Sequence, residues 1–235
     1  MKRIGLIGGI GPESTVDYYK RLMAATAHLG PARPDIVIYG ANVDQAFEIL
    51  NAGDDDRLVA WLVEKLYALE AGGAELAAIT ANTAHVVFDR VKELSPIPLR
   101  SIVEATREAA AGMGAQRLAL LGTGFTMASD FYARCFRPAG MEIVVPDPAE
   151  QALIHRRLMT EIELGIFKDS TRAELLGIVE RMHRATAVDA VILGCTELPL
   201  ILHGEAYPVA AAGESLPFLN TTAIHVADLL RHATA

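Results

Sequence analysis

The chain has 235 residues, 51% of them hydrophobic, enough to bury a large core as one large domain or two small ones. A formal net charge of −8, with lysines and arginines scattered and no long acidic run, argues against nucleic acid and against an anionic membrane surface as the main partner. No apolar run approaches the roughly 20 residues of a bilayer span, and the two cysteines, Cys135 and Cys195, form neither a disulfide framework nor a zinc spacing.

Met1-Lys2-Arg3 followed by a short apolar run has the outline of a signal peptide. Gly8, Gly9 and Pro12-Glu13 interrupt it and no small-residue cleavage site follows, so it reads as a first strand of a cytoplasmic protein. Strands are expected at 3–8, 35–40, 74–80, 97–102, 117–122, 141–145, 188–193 and 207–209. Between them lie amphipathic segments. In 54–70, Leu58, Trp61, Leu62, Leu66 and Leu69 share one helical face behind an Asp54-Asp55-Asp56 start that suits the helix dipole. In 169–185, Asp169 or Ser170 is the expected cap, and Leu175, Leu176, Val179 and Met182 form the apolar stripe. Such alternation implies α/β architecture with parallel sheets covered by helices.

The first turn, Gly9-x-Gly11-x-x-Ser14, is one residue away from a dinucleotide fingerprint. That fingerprint also wants an acidic residue ending the second strand, for the ribose. Here Asp35 lies at the start of that strand and Tyr39-Gly40-Ala41-Asn42 at its end, while Glu13 would oppose a pyrophosphate. What remains is a set of flexible amides before a helix N-terminus, suited to a small anion such as a carboxylate.

A repeat runs through the chain. Arg3-Ile-Gly-Leu-Ile-Gly8 resembles Arg117-Leu-Ala-Leu-Leu-Gly122, and each leads through a glycine loop to Asp17-Tyr18-Tyr19 or Asp130-Phe131-Tyr132. Ala81, in "ITANTAH", follows Arg3 by 78 residues, as Cys195, in "LGCTELP", follows Arg117. A duplicated βα half explains both coincidences. Two such domains would each place ligand groups beyond the carboxyl ends of their strands. With those ends facing each other, "ANTAH" and "GCTE" would look into one cleft.

Cys195 is the sharpest chemical candidate. Between a strand end and a probable helix N-terminus, its thiol is expected to have a lowered pKa. Asn82 and Thr83 offer short donors for a carboxylate, or simple capping. Glu197 stands where it could orient Cys195, or merely favour a helix start. His85, one turn beyond Ala81, is more often a hydrogen-bonded helix residue than a base. Cys135, among Phe131, Tyr132 and Phe136, reads as structural.

"GLIGGIGPEST", "ANTAH", "LLGTGFTMASDFY", "GIFKDSTR", "VILGCTELPLIL" and "LNTTAIH" together resemble the aspartate/glutamate racemase family within the Asp/Glu/hydantoin racemase superfamily. The resemblance implies two flavodoxin-like parallel-sheet domains related by a pseudo-twofold axis, with the active site in the cleft between them. The C-terminal helix returns to the first domain, giving 1–99 plus 210–235 and 100–209. It implies a homodimer that acts on a small amino acid or related carboxylate with no metal or pyridoxal phosphate. Two thiols would flank the α-carbon, one removing a proton and the other delivering one. By position, Cys195 matches the second catalytic cysteine. Asn82, Thr83 and Ala84 match the substrate-binding turn, Thr196 its counterpart in the second half, and Ile10 and Gly11 a substrate-contacting loop. Lys168 matches a lysine that grips a substrate carboxylate, and Glu197 follows the second "GCT" as in aspartate-type members.

Ala81 departs from this pattern, standing where the family has its first catalytic cysteine, or in some members a threonine. The arginine that some members place after the second strand is also missing from Asn42-Val43-Asp44-Gln45. Several readings of Ala81 follow. A racemase could recruit Thr83, His85 or water, although a threonine hydroxyl is a poor base. One cysteine could serve a decarboxylase of a malonate-type substrate, as in the similar arylmalonate decarboxylase. The chain could be an inactive carboxylate-binding homologue, or Ala81 could be an introduced change.

Overall fold

A computed structural model of the chain describes residues 1–208 and 215–234. The chain divides into two compact units, Met1–Ala105 with Thr222–Ala235, and Thr106–Thr221.

The first unit holds β1 (Ile4–Gly8), β2 (Ile36–Gly40), β3 (Leu76–Ile79) and β4 (Leu99–Arg100), all parallel, in the order β2-β1-β3-β4. Each strand returns to the sheet through helical crossovers, as parallel pairing requires. The second unit holds β5 (Arg117–Leu121), β6 (Glu142–Val144), β7 (Ala190–Leu193), β8 (Ala206–Pro208) and β9 (Ser215–Asn220), in the order β6-β5-β7-β9-β8. Among the described residues, the pairs β5–β6, β5–β7 and β7–β9 are parallel and β8–β9 is antiparallel.

The repeat read from the sequence is kept in register. Ile4 faces Leu76 and Ile7 faces Ile79 in the first sheet, while Leu118 faces Ala190 and Leu121 faces Leu193 in the second. Partners are 72 residues apart in both (4 to 76, 118 to 190). The hydrogen bond beyond each pair is repeated too, Thr80 N–H to the Ile7 carbonyl and Gly194 N–H to the Leu121 carbonyl.

Local chemistry sets the element boundaries. The Asp54 side chain accepts from Arg57 N–H (2.9 Å) and starts the helix Asp55–Ala71, which buries Leu58, Leu62, Leu66 and Leu69. The helix Asp169–Thr186 begins differently from expectation: Lys168 occupies the cap position and no side chain makes the cap bond. Its buried stripe is Leu175, Ile178, Val179 and Met182, with Leu176 only half-buried. The fourth strand, expected over 97–102, shrinks to Leu99–Arg100. The Ser101 hydroxyl accepts from Val103 and Glu104 N–H (3.2 Å each) and opens the helix Ile102–Gly112.

The strand Ser215–Asn220 is not among the strands expected above, and Pro217 in its middle is a residue that disfavours a strand. It pairs with β7 through Phe218 and Leu219, so 215–220 joins the second sheet. The expected domain boundary at 209/210 lies outside the described residues, as does position 209 of the expected last strand. The division falls instead at 221/222 and 105/106. The final helix, Thr221–Thr234, packs Val226, Leu229 and Ala233 with Ile4, Leu6, Tyr18 and Leu22 of the first unit. Arg100 ties Asp228 of that helix to β4 (2.8 Å).

Candidate active site

In the first unit the glycine turn is tied down from within. Gly9 has φ +84°, and a side chain there would collide with the Ala41 carbonyl, so only glycine lets β1 end this close to the segment after β2. Gly9 N–H donates to the Thr15 hydroxyl (2.8 Å), which donates to the Gly11 carbonyl (3.1 Å). The buried Ser14 hydroxyl donates to the Thr80 carbonyl (2.9 Å), immediately before Ala81. The "GPEST" stretch therefore anchors the end of β3, and the Gly9 amide is engaged with Thr15 rather than held open for an anion. Ile10, Ala41, Ala81 and Ala84 belong to one apolar cluster, which brings the glycine loop and the "ANTAH" turn together. Gly11 is buried beside them. Asn82, also buried, heads the 3-10 turn Thr83–Val87, and its side chain makes no capping bond there. Thr83 is half-buried.

His85 is not placed to replace a missing thiol. Its Nδ1 donates to the Ala81 carbonyl (2.9 Å), and its Nε2 accepts from Ile102 N–H (3.3 Å). The ring stacks on Phe88 with centroids 4.8 Å apart. Burial lowers its pKa to about 4, so it stays neutral with both nitrogens occupied.

In the second unit β7 delivers Cys195. A Cβ on Gly194 would meet Leu120 Cδ1 at 2.6 Å and the Leu121 carbonyl oxygen at 2.9 Å, which explains the glycine before the cysteine. Cys195 is 6% exposed, and its S–H donates to Glu197 Oε2 (3.0 Å). The buried Thr196 hydroxyl donates to the same oxygen (3.0 Å). Glu197 Oε1 is buried with no hydrogen-bond partner among the described residues. Glu163, from the short turn Ile162–Leu164, completes the group: ligand atoms of Glu163, Cys195 and Glu197 lie within 4.8 Å of one another. Burial, and next the charge of Glu197, push Glu163 up to about 8, so it holds a proton at neutral pH.

The expected lowering of the Cys195 pKa is reversed. Burial, reinforced by Glu197 and Glu163, pushes the thiol well above its ordinary value. The helix that follows, Leu198–Ile201, has four residues and offers little dipole against two nearby carboxyl groups. These groups also present one sulfur and two carboxylate oxygens close enough to hold a metal ion. Protons on Cys195 and Glu163 relieve the same crowding of charge without one.

Lys168 is not gathered into this group. It is 54% exposed on its side chain and pairs with Glu161 (3.1 Å), which also binds Arg157 and Thr171. Glu163 went unremarked in the sequence. The available signal is an acidic residue between Ile162 and Leu164, a setting that invites burial. Cys135, in the short helix Phe131–Phe136, is half-buried and remote from this chemistry in its surroundings.

Two parallel α/β units of matching register, one carrying a buried thiol beside two carboxyl groups, define the class of protein. The chain belongs to the Asp/Glu/Hydantoin racemase family, which matches it over residues 7–229. It is 26% identical over 206 residues to the broad specificity amino-acid racemase RacX of Bacillus subtilis (strain 168), covering 85% of this chain and 87% of that one. It is 33% identical to the crystal structure of an aspartate racemase homologue from Pyrococcus horikoshii OT3, with a TM-score of 0.82 over the whole of both chains. The aspartate racemase of Picrophilus torridus shares the fold, at 23% identity and a TM-score of 0.75 over 100% of this chain and 95% of that one. Among the described residues no helix is long and apolar enough to cross a membrane.

Proposed function

We propose that this protein is an amino-acid racemase of the aspartate/glutamate type in which Cys195 is the essential acid/base and Ala81 occupies the position of the first catalytic cysteine. The observation that carries this reading is the Cys195–Glu197–Glu163 group. A thiol held protonated cannot abstract an α-proton until it gives up its own, and Glu197 Oε2, 3.0 Å away, is positioned to take it. The unmatched, buried Glu197 Oε1 would be satisfied by the α-ammonium of an amino acid. A malonate would bring only further negative charge. On this reading Asn82, Thr83 and Thr196 hold the α-carboxylate, Ile10, Gly11 and Ala84 shape the apolar floor, and backbone amides stabilise the enolate-like intermediate. Lys168 contributes only by releasing Glu161. The enzyme is a cytoplasmic homodimer that needs no cofactor.

Inversion needs a second proton carrier, and the methyl group of Ala81 is none. With His85 locked, water held by Thr83 is left to return the proton. Incubation of L- and D-aspartate and glutamate in deuterated water, followed by proton NMR and chiral chromatography, tests this. Exchange of the α-hydrogen outrunning inversion is the expected result, with both lost in Cys195→Ser. No exchange with any small amino acid would remove the racemase assignment.

A second reading rests on the same thiol. Cys195, resting protonated with Ala81 bringing no partner thiol, suits a decarboxylase that only needs to protonate an enediolate. Carbon dioxide released from a malonate-type acid, without α-exchange of amino acids, would replace the racemase by this lyase. Neither activity would leave a carboxylate-binding protein.

A further inference from the structure

The first unit contains a pocket that shares no lining residue with the Cys195–Glu197–Glu163 group. It has a volume of about 450 Å³, within the range of small-molecule sites. It opens beside the end of β2 and between the helices Val43–Ala52 and Asp55–Ala71, lined among others by Tyr39, Gly40, Asn42, Gln45, Trp61 and Lys65.

Lys65 is the unusual member. Its side chain is only 5% exposed although it ends in an ammonium group. Nζ lies 4.3 Å from the Trp61 ring centroid and 5.4 Å from that of Tyr39. Two ring faces attract a cation but do not replace an anion's hydrogen bonds. The carboxylate that approaches it, Glu64, is 72% exposed and stays at 3.7 Å, beyond hydrogen-bond length. A cation held out of water with only this long pair to an exposed carboxylate is poorly compensated, and burial lowers the Lys65 pKa from its ordinary value although Glu64 acts in the opposite direction. Beside Glu64 and the apolar Ile49, the wall carries two amide side chains that can donate to acceptors. The Gln45 oxygen accepts from Trp61 Nε1 (3.3 Å), and the Asn42 oxygen accepts from Asp44 and Gln45 N–H. Both oxygens are thus turned to the protein, leaving amide N–H groups for a ligand. Arg57 stands on the lining, paired with Glu48 (2.8 Å).

We propose that this pocket binds a small oxyanion, the carboxylate or phosphate group of a metabolite-sized molecule, with Lys65 as its counter-charge and Gln45 and Asn42 as donors. It shares none of its residues with the catalytic group of the second unit. Its occupancy is a property separate from turnover at Cys195.

Trp61 is the single tryptophan of the chain and lines the pocket, so its fluorescence reports the site directly. The test titrates inorganic phosphate and, separately, succinate at constant ionic strength. A saturable change in emission with either is expected, and the better binder tells phosphate from carboxylate. Lys65→Met should weaken the midpoint at least tenfold. Gly40→Leu supplies an independent variant, because a Cβ there meets nothing within 4 Å and the longer side chain fills the pocket without touching its charges. It should weaken binding likewise, and it decides the matter if Lys65→Met fails to fold. No saturable change with either anion, or unchanged midpoints in the folded variants, would overturn the proposal.

Discussion

At the scale of single residues, the proposed chemistry turns on how Glu163 and Cys195 hold protons in their buried setting. Glu163 ionises at about 8, well above an ordinary carboxyl group, and once ionised it is a second base within 4.8 Å of the thiol. The α-exchange rate should therefore rise with pH and inflect near 8. Glu163→Gln should remove that inflection and lower kcat/KM at least about tenfold, read from pH–rate profiles. Ala81→Cys carries the complementary expectation. Restoring a thiol should raise inversion relative to exchange by about tenfold or more, and a folded variant with an unchanged ratio would mean that position 81 is not a proton-transfer position. Cys195 was legible because Gly-Cys-Thr-Glu after an apolar strand is an unusual local pattern. Its protonation state was not, since burial decides it, reinforced by Glu197 and then by Glu163, which lies 32 residues earlier in the chain.

At the scale of elements, the loops owe their shape to buried hydroxyls. Ser14 is fully buried and donates to the Thr80 carbonyl, fastening the first helix to the end of β3. Ser14→Ala would leave that carbonyl buried and unpaired, at a cost of about 1–3 kcal/mol. The apparent melting temperature should fall by several degrees, and if "GPEST" positions residue 81, exchange activity should drop more than it does in a surface variant of equal stability. The same scale shows where periodicity was sufficient. The helix Asp55–Ala71 and the strands Ile4–Gly8 and Arg117–Leu121 were readable from apolar spacing, because each buries one continuous stripe or both faces. Ser215–Asn220 was hidden, because Pro217 is compatible with a strand only in the setting that β7 and β8 create.

For the whole molecule, titration should limit stability on both sides of neutrality. His85 and His225 are buried neutral, with pKa values lowered to about 4 and about 3. Between those values and the unfolded 6.5 the unfolded chain binds more protons, so stability is full above 6.5 and is lost as pH falls. Glu163 acts in the opposite sense. Its folded value of about 8 exceeds the ordinary 4.5, so its contribution is full below 4.5 and is lost as pH rises to about 8. Each pH unit within that window removes up to about 1.4 kcal/mol. Thermal melting should accordingly peak at about pH 6.5, and Glu163→Gln should flatten the alkaline side and steepen the acid side between 4.5 and 6.5, where the histidines His85 and His225 then act unopposed.

By itself the sequence determined the α/β class, the duplication, the strands that open each half and the turns that carry Ala81 and Cys195. Those follow from local periodicity and from a repeat spacing that the paired registers preserve. Only the tertiary structure decided which groups meet. It placed Glu163 beside Cys195, drew Lys168 to Glu161, closed both nitrogens of His85, and buried Lys65 between two rings. Proton affinity depends on burial and on charges a few ångströms away, and those neighbours come from distant parts of the chain that no local pattern links. The glycine turn "LIGGIGPEST" shows the division in one place. Its residues specify a tight strand-to-helix turn, but only the fold reveals that Ser14 and Thr15 spend their hydroxyls on holding that turn against β3 and on itself.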